Sequence, residues 1–137
     1  MKTKAKYKIF LHEKSIDELR FNSSLWVSEL DFVGIEISFI IQLLKSYPIK
    51  TEIPNLFEHI QLFNKELEIL EKERNIIIDN IHQYKNELSG MIECDKLSCD
   101  NVYVIAYEKL AKYVFKFLQS YKKLKIEIYE FLNNILV

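Results

Sequence analysis

Apolar residues recur along three long stretches of this chain at alternating steps of three and four residues. Such spacing keeps one face of a helix against a partner helix over many turns, as it does in coiled coils. The chain has only two glycines and two prolines among its 137 residues, which favours few turns and long helices. We therefore predict an all-α protein with three long helices, each with one apolar seam.

The seams can be read from the sequence. The first consists of Ile16, Leu19, Ser23, Trp26, Leu30, Val33, Ile37, Ile40, Leu44 and Tyr47. The second consists of Leu56, Ile60, Phe63, Leu67, Leu70, Arg74, Ile77, Ile81, Tyr84 and Leu88. The third consists of Cys99, Tyr103, Ala106, Leu110, Tyr113, Phe117, Ser120, Leu124, Phe131 and Ile135, with Glu127 and Ile128 straddling the step before Phe131.

Local signals predict where the first helix begins and ends. Ser15 with Glu18 three residues later forms a capping box, which favours a helix start at Ser15. A restart at residues 23–24, both serine, is the alternative. The helix should end near Tyr47, because the residue before Pro48 is disfavoured in the helical conformation.

Pro54 suits the first turn of the second helix, and Gly90 is a natural C-terminal stop for it. The helices are thus expected at about 15–47, 54–89 and 98–136. Because the connecting loops are short, consecutive helices should run antiparallel. We expect a long up-down-up three-helix bundle with left-handed coiled-coil-like packing.

The chain length fits one domain, which we place at residues 15–137. Residues 1–14 contain five lysines and one glutamate, and we interpret them as a basic N-terminal arm. Every apolar run is interrupted by polar residues, so no membrane span is expected. The two cysteines are too few for a secreted disulfide scaffold. We therefore expect a soluble, cytoplasmic protein, and the abundance of isoleucine, lysine and asparagine suggests a bacterial one.

The first helix has more apolar residues than one seam uses. Leu25, Phe32, Phe39 and Leu43 form a second row beside the first. Each helix of a three-helix bundle contacts two neighbours and needs a broad apolar face, which is one explanation. The other is an interaction surface for a protein partner or a second copy, because large exposed apolar areas mark such surfaces.

Arg74 is unusual because it interrupts the second seam. If the loop between the first two helices is tight, Glu29 lies level with Arg74, and Glu36 lies level with Glu66. The second loop would bring Tyr113 level with Arg74 and Tyr121 level with Glu66. We therefore predict a buried polar layer containing Glu29, Arg74, Tyr113, Glu36 and Glu66, with a specific Arg74–Glu29 pair. Such a layer either fixes the helix register or binds a small ligand.

Other chemistry has weak support. His59 and Glu66 are the nearest to a metal-ligand pair, but the sequence lacks the repeated Glu-x-x-His pattern of di-iron bundles. Cys94 and Cys99 lack the further ligands that a zinc site needs. The net charge of −1 argues against nucleic acid as the main partner. A lysine strip on the third helix leaves binding of an anionic surface as a weaker option. It contains Lys112, Lys116, Lys122, Lys123 and Lys125.

These observations favour a non-enzymatic helical interaction or scaffold protein without cofactor or metal, self-associating through the surplus apolar face of the first helix. The alternative is a bundle that binds a small ligand or a metal through its internal polar layer.

Overall fold

The computed structural model describes the backbone of residues 2–46, 54–91 and 97–135, and the side chains of residues 16–45, 54–90 and 102–135. Three helices account for nearly all of this backbone: α1 (Lys2–Ser46), α2 (Leu56–Met91) and α3 (Leu97–Ile135). No strand occurs within the described residues. The predicted all-α three-helix bundle is therefore confirmed.

The start of α1 differs from the prediction. The helix begins at Lys2 and not at Ser15, so residues 2–14 belong to the backbone of α1. This segment has no glycine or proline and is rich in good helix formers, so the capping-box pattern at Ser15 lies inside a continuing helix. The helix does not restart at residues 23–24 either. The Ser23 hydroxyl donates to the Leu19 carbonyl at 2.6 Å, a bond to the preceding turn that helices tolerate.

The start of α2 is set by Asn55. Its φ of 58° is left-handed, a conformation that asparagine tolerates better than most residues. The Asn55 carbonyl accepts the first helical hydrogen bond, from the His59 amide at 3.1 Å. At its other end α2 continues through Gly90 to Met91, a boundary difference of the usual size. Tyr47, Pro48 and Cys94 lie outside the described residues.

Contacts between side chains establish the directions of the helices. Arg20 of α1 donates to Ser89 near the end of α2, whereas Arg74, earlier in α2, reaches the Leu30 carbonyl. Residue numbers thus rise along α1 as they fall along α2, so these helices are antiparallel.

The third helix runs parallel to the first. Trp26 stacks on Tyr107 with ring centroids 5.0 Å apart, and Glu36 accepts a hydrogen bond from Tyr121 further along both helices. The up-down-up order is therefore as predicted. The contact between α1 and α3 is less extensive than that of either helix with α2.

The core consists of the predicted seams, with one shift in α3. Most predicted seam residues of α1 and α2 in the described part of the chain are buried, among them Ile37 and Ile77, and others such as Trp26 and Arg74 are partly buried. In α3, however, Ser120 is exposed and Tyr121 is buried. The buried row of α3 is Leu110, Val114, Phe117, Tyr121, Leu124, Ile128, Leu132 and Ile135. It contains consecutive steps of four because a helix with about 3.6 residues per turn drifts from a strict seven-residue repeat.

Polar residues interrupt each helix often. Over the described residues, none of the three is long and apolar enough to cross a membrane.

Candidate interaction surface and internal polar clusters

The outer side of α1 has a second row of apolar side chains, which we call the outer stripe. It consists of Phe21 (64% exposed), Leu25 (47%), Phe32 (58%), Ile35 (67%) and Phe39 (61%). With Ser28 included, the steps along this row alternate between four and three, as in the buried seam. The row is displaced from the seam by two residues, or about 200° at about 100° per residue. The outer stripe therefore lies on the side of α1 opposite the core.

Three of the four residues proposed from the sequence lie in this stripe. Leu25, Phe32 and Phe39 are exposed, whereas Leu43 is half-buried and packs against the core. Phe21 and Ile35 were missed. The sequence prediction followed steps of seven from Leu25. Adding two to every residue number of the buried seam would have found Phe21 and Ile35 as well.

The other helices have exposed apolar residues in sparser patterns. On α2, Leu62, Ile69 and Ile76 recur every seven residues with Lys65 and Lys72 between them. On α3, the exposed side chains include Phe115, Ile126 and Tyr129. The outer stripe of α1 is denser than either and contains three phenylalanines.

A first polar cluster joins α1 to α2 around Arg74. The guanidinium donates two hydrogen bonds to Glu71, one of them from Nε at 2.9 Å, and one to the Leu30 carbonyl at 3.2 Å. Asp31 lies 4.0 Å from Nη1. The hydrogen bond to Glu71 raises the pKa of Arg74, and burial opposes this shift without reversing it. The arginine is thus held as a cation by groups of its own chain.

Gly34 makes room for this arginine. A Cβ atom at Gly34 would lie 2.6 Å from Arg74 Cζ and 2.8 Å from Nη2, so the guanidinium rests directly on the backbone of α1. Glycine within a helix is unfavourable by about 1 kcal/mol relative to alanine. The close approach of the guanidinium is the physical reason for glycine at this position.

The predicted Arg74–Glu29 pair is wrong. Glu29 is exposed and forms no ion pair with any described side chain. Tyr113 forms no hydrogen bond with Arg74, and it lines a groove between α2 and α3 with Asn80 and Gln83. The prediction assumed that Glu29 lies level with Arg74. A difference of one or two residues in register, at about 100° each, replaces Glu29 by Leu30 and Asp31.

A second polar cluster joins α1 to α3 around Glu36. Tyr121 donates to Glu36 Oε1 at 3.0 Å, and Lys125 Nζ donates to Oε2 at 2.5 Å. The Lys125 ammonium also lies 5.6 Å from the centre of the Tyr129 ring, a cation–π distance. Burial raises the pKa of Tyr121, and its hydrogen bond to Glu36 adds to the shift. Glu36 therefore lies in a polar cluster with residues of α3, whereas Glu66 lines a separate groove between α2 and α3.

An aromatic cluster connects the three helices at the level of Trp26. The Tyr107 ring stacks on Trp26 and lies 6.3 Å from the Tyr84 ring. The Tyr84 hydroxyl donates to the Tyr103 carbonyl at 3.0 Å, and Asn22 donates to the Tyr107 hydroxyl at 3.1 Å. Burial raises the pKa of Tyr84, with the neighbouring tyrosines contributing less. Each bond lies within the chain, which is typical of a structural cluster.

The weak metal hypothesis gains no support from the geometry. No group of three histidine, cysteine, aspartate or glutamate side chains in the described part of the chain is arranged to hold a metal ion. His59 is exposed, and its ring packs 5.4 Å from the ring of Phe131.

The sequence matches no protein-family model, no curated protein and no solved structure. The functional argument therefore rests on two observations. The charged groups of both polar clusters are paired within the chain, and no described residue covers the outer stripe of α1.

Proposed function

We propose that the protein is a non-enzymatic helical interaction or scaffold module that self-associates through the outer stripe of α1. The supporting observation is the exposure of five large apolar side chains in one row, interrupted only by Ser28. At about 100 Å² each, half the area that an aromatic side chain can bury, the three phenylalanines alone contribute about 300 Å². Patches of this size on a monomer are often functional.

A second copy of the chain is the partner we propose. The alternating spacing of the stripe fits another long helix, because it matches the spacing of the seam that packs against α2 and α3. A stable interface needs about 800 Å² from each partner. The stripe alone supplies only part of that area, so side chains that flank it would have to contribute as well, and an identical copy presents the same surface.

Small-ligand or metal binding through the polar layer remains the alternative. It is less well supported because Arg74 and Glu36 already have partners within the chain. Elemental analysis of protein purified without a histidine tag would favour it if a metal were present stoichiometrically. We place the protein in a bacterial cytoplasm, where the cysteines would be reduced thiols.

The proposal is tested by the mass of the protein in solution. Wild type and Phe32→Asp/Phe39→Asp would be compared by sedimentation equilibrium over a range of concentrations. We expect a dimer for wild type and a monomer of unchanged helicity for the variant. Anchoring interface residues contribute about 2 kcal/mol or more each, which corresponds to about 30-fold in the dissociation constant.

Phe57→Asp is the matched control, because Phe57 is an exposed phenylalanine on α2, away from the stripe (68% exposed). Its dimerisation should equal that of wild type. A wild type that stays monomeric at every concentration, or a control that dissociates as readily as the stripe variant, would contradict the proposal.

A further inference from the structure

The outer stripe has two edges that face different neighbours. Phe32 and Phe39 lie one turn on either side of Glu36, whose carboxylate is bonded to α3, so both lean toward α3. Phe21 and Ile35 lie one turn from Ser24 and Asp31, whose side chains contact α2. The stripe therefore continues toward α3 on one edge and toward α2 on the other.

The surface beside Phe32 and Phe39 continues onto α3. Lys125 binds Glu36, and Tyr129 lies one turn beyond it with its ring against the lysine ammonium. Phe115 lies seven residues before Lys122, which is itself one turn before Lys125. Phe115 is 63% exposed and Tyr129 is 43% exposed. We call the surface formed by Phe32, Phe39, Phe115 and Tyr129 around the Glu36–Lys125 pair the α1–α3 face.

The two helices of this face differ in charge. Residues 16–45 of α1 contain five acidic and two basic side chains, whereas residues 102–135 of α3 contain six lysines and three glutamates. Glu29, one heptad before Glu36, and Lys122 form no ion pair with any described side chain. Pairing α1 with α1 of a second copy in this region would bring two acidic segments, residues 16–45 of each copy, together. Pairing α1 with α3 of the copy brings opposite charges together, which favours that arrangement.

We propose that the second copy docks on the α1–α3 face about a two-fold axis, so that α1 of each copy lies against α3 of the other. This inference rests on the self-association proposed above. It adds that the interface includes Phe115 and Tyr129 and is centred on Phe32 and Phe39, so that Phe21 and Ile35 lie at its rim. A two-fold axis parallel to the helices gives this arrangement. It places α1 of each copy opposite α3 of the other, so that the two equivalent α1–α3 contacts form together.

The first test compares Phe115→Ser with Ile35→Ser, two truncations of exposed apolar residues at opposite edges. We expect Phe115→Ser to weaken dimerisation by about 30-fold, as for an anchoring residue. Ile35→Ser should remain within about threefold of wild type, with helicity unchanged in both. If Phe32→Asp/Phe39→Asp abolishes the dimer but Phe115→Ser does not weaken it, self-association through α1 stands and the α1–α3 pairing is wrong. A monomeric wild type overturns both proposals.

The second test exchanges charges between the helices. Glu29→Lys and Lys122→Glu should each dimerise less tightly than wild type. Each adds to one helix a charge of the same sign as the helix it faces, a lysine opposite the basic α3 or a glutamate opposite the acidic segment of α1. Mixing the two variants should restore association, since each altered helix then faces an oppositely charged one. Pairing of α1 with α1 predicts instead that Lys122→Glu dimerises like wild type. That result would overturn the inference.

Discussion

The two faces of α1 have the same spacing of apolar residues but opposite surroundings. The buried seam from Leu19 to Leu44 and the outer stripe from Phe21 to Phe39 both advance by alternating steps of three and four. One is covered by α2 and α3, and the other is exposed. Spacing alone therefore identifies faces that can pack against a helix, but it does not say which of them the same chain covers.

The composition of the two faces separates them better than their spacing does. The buried seam is mostly aliphatic, whereas three of the five residues of the outer stripe are phenylalanine. Aromatic residues are enriched in protein interfaces relative to the remaining surface. The difference supports an interface role for the outer stripe and a folding role for the seam.

The largest expected effect is a difference in the free energy of unfolding between substitutions in the buried seam and in the outer stripe. Ile37→Ala in the seam should lower the free energy of unfolding by about 3 kcal/mol, because it removes a buried aliphatic side chain and leaves a cavity. Phe39→Ala should change it by no more than about 0.5 kcal/mol, since the side chain is largely in water. Urea unfolding at a concentration below dimerisation would measure both. Equal losses would show that the outer stripe contributes to the fold of the single chain.

A serine interrupts each face and offers a second comparison. Ser23 is fully buried in the seam, whereas Ser28 is exposed in the outer stripe. Ser23→Leu should destabilise the fold by about 1–3 kcal/mol, because the packed core has no room for the larger side chain. Ser28→Leu should leave the free energy of unfolding nearly unchanged. A stabilising Ser23→Leu would show that the core near Ser23 is underpacked.

The sequence predicted the seams well because each needs only the local period of one helix. Ile37 and Ile77 are buried as expected. The prediction failed where two helices must be aligned. Arg74 bonds to Leu30 and Glu71 instead of Glu29. An error of one residue in the register between helices changes the direction of the facing side chain by about 100°, which is enough to select the wrong partner. The burial of Tyr121 instead of Ser120 was missed because the drift of a straight helix accumulates over many turns. The sequence shows Gly34 in the middle of α1 and Arg74 in the seam of α2, but it does not show that the two residues are in contact.

The covered side of the bundle contains tyrosine hydroxyls, which the outer stripe lacks. Burial raises the pKa of Tyr84 and Tyr121 above the unfolded value of about 10. Their contribution to stability is therefore complete below about pH 10 and is lost as the pH rises toward the folded pKa. We expect wild type to lose stability more steeply than Tyr84→Phe/Tyr121→Phe between pH 9 and about pH 11. The free energy of unfolding would be measured by chemical unfolding at each pH. An equal loss in wild type and in the double variant would contradict the expectation. Tyr129→Phe, which changes an exposed tyrosine, serves as the control.

The smallest effect concerns Gly34, which lies in α1 between the two faces and against α2. Alanine is favoured over glycine in a helix by about 1 kcal/mol, but its methyl group would displace the guanidinium of Arg74 from the Leu30 carbonyl. A hydrogen bond from a charged group contributes about 1.5–3 kcal/mol, so Gly34→Ala should destabilise wild type by about 1 kcal/mol. The same substitution should stabilise an Arg74→Ala background by about 1 kcal/mol, because nothing is then displaced. Gly90→Ala is the control, since a Cβ atom there would meet nothing within 4 Å and should not depend on Arg74. If Gly34→Ala has the same effect in both backgrounds, the contact between Gly34 and Arg74 does not govern the pairing of α1 with α2, and the glycine needs another explanation.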